Sequence, residues 1–179
     1  MTPLFTAILG DDLGAARNLL EADRSLATAA VRAARLYESG IFHWIYGGDT
    51  ALHFAAAGYR AGIVRCLLDA GADPNSAGNH RRSRPLHYTA DGYVNGPEWD
   101  ANRQLETLQC LFEAGADLNA QDKNGTTPLH RAVRTRCGGT YPEAPLFISR
   151  CRIRVGAEPG RPWPETPSVK SSRVFWARE

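Results

Sequence analysis

Apolar residues in this chain recur at helical rather than alternating spacing. A short block around Leu52 runs to Ala57-Gly58, and Val64, Leu67 and Leu68 follow at i, i+3 and i+4. That spacing predicts two helices, the second with one apolar face turned to a neighbour. The opening of the first block occurs four times: Thr2-Pro3-Leu4-Phe5, Thr50-Ala51-Leu52-His53, Arg84-Pro85-Leu86-His87 and Thr127-Pro128-Leu129-His130. The second block occurs three times, in Asn18-Leu19-Leu20, Cys66-Leu67-Leu68 and Cys110-Leu111-Phe112. The last two copies continue as Gly71-Ala72-Asp73-Pro74-Asn75 and Gly115-Ala116-Asp117-Leu118-Asn119. Thr followed by Pro suits an N-cap and a first helical turn. Gly71 and Gly115 stand where a helix ends in a left-handed residue, and Asp122-Lys123-Asn124-Gly125 reads as a tight turn. Each unit is helix, turn, helix, projecting hairpin.

Two motifs recurring in one order resemble the ankyrin repeat, a unit of about 33 residues with a T-P-L-H start and a G-A-D-x-N end. The resemblance implies an all-α, helix-turn-helix solenoid with short projecting hairpins. It covers a repeat domain over residues 1–137, with repeats at about 2–26, 48–76 and 82–120 and a truncated fourth at 125–137. The leucines Leu4, Leu52, Leu86 and Leu129 are 48, 34 and 43 residues apart, which places insertions at about 27–47 and 91–103, outside the helices. Stacked repeats tolerate such insertions because each packs only on its neighbours. The resemblance also makes Thr50, Leu52, His53, Pro85, Leu86, His87, Thr127, Pro128, Leu129 and His130 structural, the histidine bonding backbone and the motif threonine.

Composition narrows the function classes. The chain has 179 residues, 43% of them hydrophobic and 22% charged, a globular rather than disordered balance. No uncharged run approaches the roughly 18 residues of a membrane span, and no export signal opens the chain. A cytoplasmic protein without membrane contact is expected. The net charge of +2 conceals two parts: residues 1–130 carry 11 basic and 15 acidic side chains, residues 131–179 carry 10 and 4. The basic end alone would bind phosphates nonspecifically, but no nucleic-acid motif accompanies it, so no specific nucleic acid is expected.

Neither cofactor nor metal is inferred. His53, His87 and His130 share one repeat slot, so stacking separates them by roughly 10 Å, too far for one zinc with ligands at about 2.0–2.1 Å. Cys66 and Cys110 share a slot in the second helix and read as small buried side chains. Phosphate-binding, zinc-protease and serine-hydrolase signatures are missing, so a non-catalytic chain with no small-molecule substrate is expected. The competing enzyme reading would have to use Asp91, Glu98 and Asp100 in the second insertion.

Surface recognition remains. Carried over by position, the binding face of hairpin tips and first helices includes Asp49, Ala57, His80, Arg81, Arg82, Ser83, Lys123, Asn124, Thr126, Arg131, Arg134 and Thr135. The run Asn79-His80-Arg81-Arg82-Ser83-Arg84 makes one tip cationic, and positive charge attracts and speeds binding of an acidic partner segment. The first insertion is aromatic from Leu36 to Tyr46 and reads chiefly as cover for a repeat edge. Beyond Arg136 the pattern fails, and six of eleven prolines lie between residues 142 and 167. Residues 138–179 read as a basic, proline-rich, irregular tail, disordered or the product of a shifted reading frame. The alternative to a binding module is therefore a truncated, non-functional member of a longer ankyrin family.

Overall fold

The computed structural model describes residues 2–37, 40–41, 43–92 and 99–136, with the side chains of 135 and 136 excepted. The expectations for residues 138–179 and for Glu98 lie outside the described residues. Seven helices follow the repeat: α1 Pro3–Leu9, α2 Leu13–Ala22, α3 Ala51–Ala57, α4 Ala61–Asp69, α5 Pro85–Ala90, α6 Ala101–Glu113 and α7 Pro128–Arg136. Within each of the first three units the short helix packs on the long one that follows. Between units, α1, α3, α5 and α7 form one layer and α2, α4 and α6 a second. The described part is thus an all-α ankyrin-type solenoid.

The repeated residues build the interface between layers. Leu4, Leu52, Leu86, Leu67 and Leu111 are buried in one continuous core. Each such side chain stabilises by roughly 1.5–3 kcal/mol on leaving water. Gly71 and Gly115 take φ of 99° and 85° just past α4 and α6, the left-handed helix end expected of them. Gly48 has a second reason to be glycine: a Cβ there would lie 2.4 Å from the carbonyl oxygen of Gly78 in the next tip.

Two details depart from the sequence expectation. Asp100 caps α6, accepting from the amides of Asn102 (2.7 Å) and Arg103 (3.1 Å), so the helix begins at Ala101 and takes in residues assigned to the second insertion. The projecting tips at 79–83 and 122–126 are turns held by side chains, whereas the described strand pair lies in the first insertion. That pair is β1, Arg35–Tyr37, antiparallel to β2, His43–Ile45, with Leu36 opposite Trp44 and Tyr37 opposite His43.

The insertion hairpin lies on the first-helix layer. Side chains alternate across a strand, and the inward set is Tyr37, His43 and Ile45. Tyr37 meets Phe54 of α3 edge-on at 4.8 Å, His43 lies 5.0 Å from the Tyr88 ring of α5, and Ile45 is fully buried. Arg60 fastens the loop end, donating to the Gly40 carbonyl (2.6 Å) and to Asp11 (3.3 Å). With α4 behind, α1 and α5 beside it and the hairpin in front, every residue of α3 is buried, and so is every residue of α5. The first-helix face, expected to be open, is closed over repeats two and three, because this insertion covers it.

Candidate partner-binding surface

Histidines of the repeat motif join one unit to the next. His53 Nδ1 accepts from the Thr50 amide at 3.0 Å, and His87 Nδ1 from the Arg84 amide at 3.1 Å. A ring nitrogen that accepts carries no proton, so the proton sits on Nε2. Nε2 then donates to a carbonyl of the following tip, Ser83 for His53 and Thr126 for His87, each at 3.0 Å. His130 repeats the first half, with Nδ1 3.3 Å from the Thr127 amide, and is exposed.

Each tip is wound around one Asx side chain. Asn79 Oδ1 accepts from the amides of Arg81 (3.0 Å) and Ser83 (3.1 Å). Asp122 Oδ1 does the same with Asn124 (2.9 Å) and Thr126 (3.1 Å). The inward atom of each then makes a joint between units. Asn79 Nδ2 donates to Asp49 Oδ1 at 2.7 Å, while Asp122 Oδ2 accepts from Arg131 Nη2 at 2.9 Å.

These joints consume three of the residues expected to face a partner. Asp49 is buried and accepts from the Tyr46 amide (2.7 Å) and the Tyr88 hydroxyl (2.7 Å) besides Asn79. Arg131, 3% exposed, donates from Nη1 to Asp91 (2.9 Å) and from Nη2 to Ser83 Oγ (2.6 Å) and Asp122. Ser83 is buried between Arg131 and Asn79. Asp49, Ser83 and Arg131 therefore face inward, as does Ala57 of the covered helix. The Asp49 carboxylate, the Ser83 hydroxyl and the two terminal nitrogens of Arg131 are already matched inside, where an unmatched group would cost about 1–3 kcal/mol. Arg131 was the hardest to anticipate, since arginine is seldom buried unless paired; its partners come from residues 83, 91 and 122, distant in sequence.

The remaining candidates share one outer edge. His80, Arg82, Lys123 and Asn124 are exposed, while Arg81 and Thr126 are half-buried. The Lys123 amide donates to the Arg81 carbonyl at 2.8 Å, so the two tips abut. Arg134 is exposed at the stack end, 3.5 Å from Asp91. Of the motif residues, Leu52 and Leu86 lie in the core, Pro85 and Pro128 are buried, Thr50 and Thr127 are half-buried, and Leu129 is 38% exposed. The carboxylates considered for catalysis are committed: Asp91 to Arg131 and to His43 at 3.5 Å, Asp100 to its helix cap. Among the described residues no three His, Cys, Asp or Glu side chains are grouped to hold a metal ion, and no helix is long and apolar enough to cross a membrane.

Burial sets the acid response. Desolvation holds His53 below its ordinary pKa despite the attraction of Asp49, and holds His87 below it with help from Arg131. The unfolded chain then binds more protons once pH drops below about 6.5, so this contribution is full above that value and declines on acidification. Burial opposes ionisation of Asp91 and Asp122, but His43 and Arg131 for the first, and Arg131 with two tip amides for the second, outweigh it. Both carboxyls sit below the usual range, so their contribution is present above about pH 3.9 and is lost as pH falls through the folded values. The thermal midpoint is expected to drop between pH 7 and pH 5. The drop should be smaller in His53→Gln, which keeps an acceptor for the Thr50 amide. A midpoint independent of pH would contradict the neutral, buried imidazoles.

Two layers of stacked helix pairs, joined at successive units by His53 and His87, define a helix-pair repeat protein. Residues 47–79 match the family described as ankyrin repeat, and residues 101–136 the one described as ankyrin repeats in many copies. The chain thus carries ankyrin repeats over these two stretches. It is similar to alpha-latrotoxin-Lhe1a of Latrodectus hesperus, 40% identical over 89 residues, which are 49% of this chain and 6% of the toxin. Ankyrin repeat domain-containing protein 53 of Macaca fascicularis is 35% identical over 89 residues, 50% of this chain and 17% of that protein. Ankyrin repeat and SOCS box protein 6 of Mus musculus is 37% identical over 89 residues, 50% and 19% respectively. The chain thus matches only a small part of each relative's length. Ankyrin repeats are a protein-protein interaction module and are generally not catalytic.

Proposed function

We propose that this chain is a non-catalytic module that binds an acidic protein segment along the abutting tips of its third and fourth repeats. The supporting observation is how charge is sorted there. Asp49 and Asp122 point inward, where Asn79, Tyr88 and Arg131 engage them, while Arg82 and Lys123 point outward. The edge therefore presents positive charge with the adjoining negative charge already matched, the arrangement that steers an anionic partner.

Full-length protein at low salt is expected to select acidic over neutral sequences from a displayed peptide library. Selection should weaken as salt rises, and Arg82→Glu combined with Lys123→Glu should abolish it. Equal recovery of neutral sequences, or indifference to the double charge reversal, would overturn the reading.

A further inference from the structure

The hairpin that closes the first-helix face has an outer side of its own. Leu36 and Trp44 are opposite one another in register, and Tyr46, just past the end of β2, is half-buried at the edge of the core. The Trp44 and Tyr46 rings stack at 6.3 Å with 22° between planes. Tyr46 is in turn held by the cationic tip. Arg81 donates to its hydroxyl at 2.6 Å and places its guanidinium 4.9 Å from the ring centre, and His80 meets the ring edge-on at 5.2 Å. Trp44 is 48% exposed, the most exposed of the large apolar side chains among the described residues. A rigid aromatic shelf thus continues directly into the basic tip.

We infer that this shelf is the apolar half of the binding site: the partner is an acidic segment that seats one large aliphatic or aromatic side chain on Trp44 while its carboxylates reach Arg82 and Lys123. The inference rests on the tip reading above and adds the anchor to it. Three features favour this occupant. Interfaces draw most of their energy from a few anchored aromatic and arginine contacts surrounded by polar ones. Trp44 is pre-oriented by stacking, so little side-chain freedom is lost on binding. The chain's own residues 138–179 carry 7 basic and 4 acidic side chains, a net positive charge and so the wrong sign to lie against this tip. The hairpin has displaced recognition from the helix face it covers to its own outer side.

The test uses full-length protein and two synthetic peptides of about twelve residues, rich in Asp and Glu, one with a central leucine and one with serine there. Fluorescence anisotropy should show the leucine peptide binding at least about tenfold more tightly, the scale of a single anchored side chain. Trp44→Ala should reduce the two peptides to equal affinity, and Trp44→Phe should restore most of the difference, with unchanged thermal midpoints showing that both variants are folded. Arg82→Glu should weaken both peptides in parallel. If leucine and serine peptides bind equally to the unaltered protein, or Trp44→Ala leaves their ratio intact, the anchor is refuted while the tip reading survives through the Arg82→Glu effect. If neither peptide binds, both fall. Self-association abolished by Trp44→Ala would assign the shelf to a second copy and overturn the peptide assignment.

Discussion

Arg131→Ala is expected to lower stability by about 3–5 kcal/mol, the usual consequence of removing one partner from a buried ion pair. The guanidinium is 3% exposed and spans three acceptors, Asp91, Ser83 and Asp122. Two of these are carboxylates inside the stack, and removing their cation leaves them desolvated. Arg131→Lys should recover only part of the loss, since a single ammonium lacks the planar fork that reaches separate acceptors at once. Stacked repeats distribute stability between neighbours, so the damage should be local. Hydrogen exchange should show α7 and residues 122–126 losing protection while α3 and α4 keep theirs. Denaturant unfolding would then cease to be a single transition. A stability change under 1 kcal/mol with undisturbed exchange in α7 would mean that Arg131 is not the joint.

What was legible in the sequence follows from how stacked repeats are made. Leu52 and Leu86 recur because each layer presents the same hole to the same neighbour, so periodicity alone reveals them. Gly71 and Gly115 recur because the backbone turns the same way at each helix end. His53 and His87 were assigned to backbone contacts through the family resemblance; the geometry adds that each also reaches a carbonyl of the following unit. These features are local or strictly periodic, and a single sequence displays both.

The joints were not legible, because they pair residues that are neither local nor periodic. Asp49, Ser83 and Arg131 looked like surface residues by type, and only the packing of α7 against α5 brings Arg131 onto Asp91 and Asp122. The insertion was half legible. Its aromatic content suggested cover, which Tyr37 and Ile45 provide. The alternation from His43 to Tyr46 was the unused signal. In a strand it sends His43 and Ile45 inward and Trp44 outward, dividing the aromatic run into a packed side and an exposed ring. Counting residues between repeats assigns 101–103 to the insertion, whereas Asp100 is an N-cap and the residues after it belong to the helix it begins.

Asp49→Ala should cost at least about 3 kcal/mol, since it strands three buried donors, each worth about 1–3 kcal/mol when left unmatched. These are the Tyr46 amide, the Asn79 side-chain amide and the Tyr88 hydroxyl. Asp49→Asn should cost less: one oxygen still accepts, but its amide group then confronts that of Asn79. The two joints predict opposite maps. Asp49 holds the base of the Trp44 shelf through Tyr46 and the basic tip through Asn79, so its loss should expose residues 44–46 and 79–83 to exchange together and leave α7 protected. Arg131→Ala should do the reverse. Peptide binding then separates stability from recognition. At a temperature where both variants remain folded, Asp49→Ala should weaken the acidic leucine peptide by loosening both halves of its site. Arg131→Ala should weaken it less, because the shelf and the 79–83 turn keep their own hydrogen bonds. Equal losses in the two variants would show that the edge is a single cooperative surface and not two joints with separate tasks.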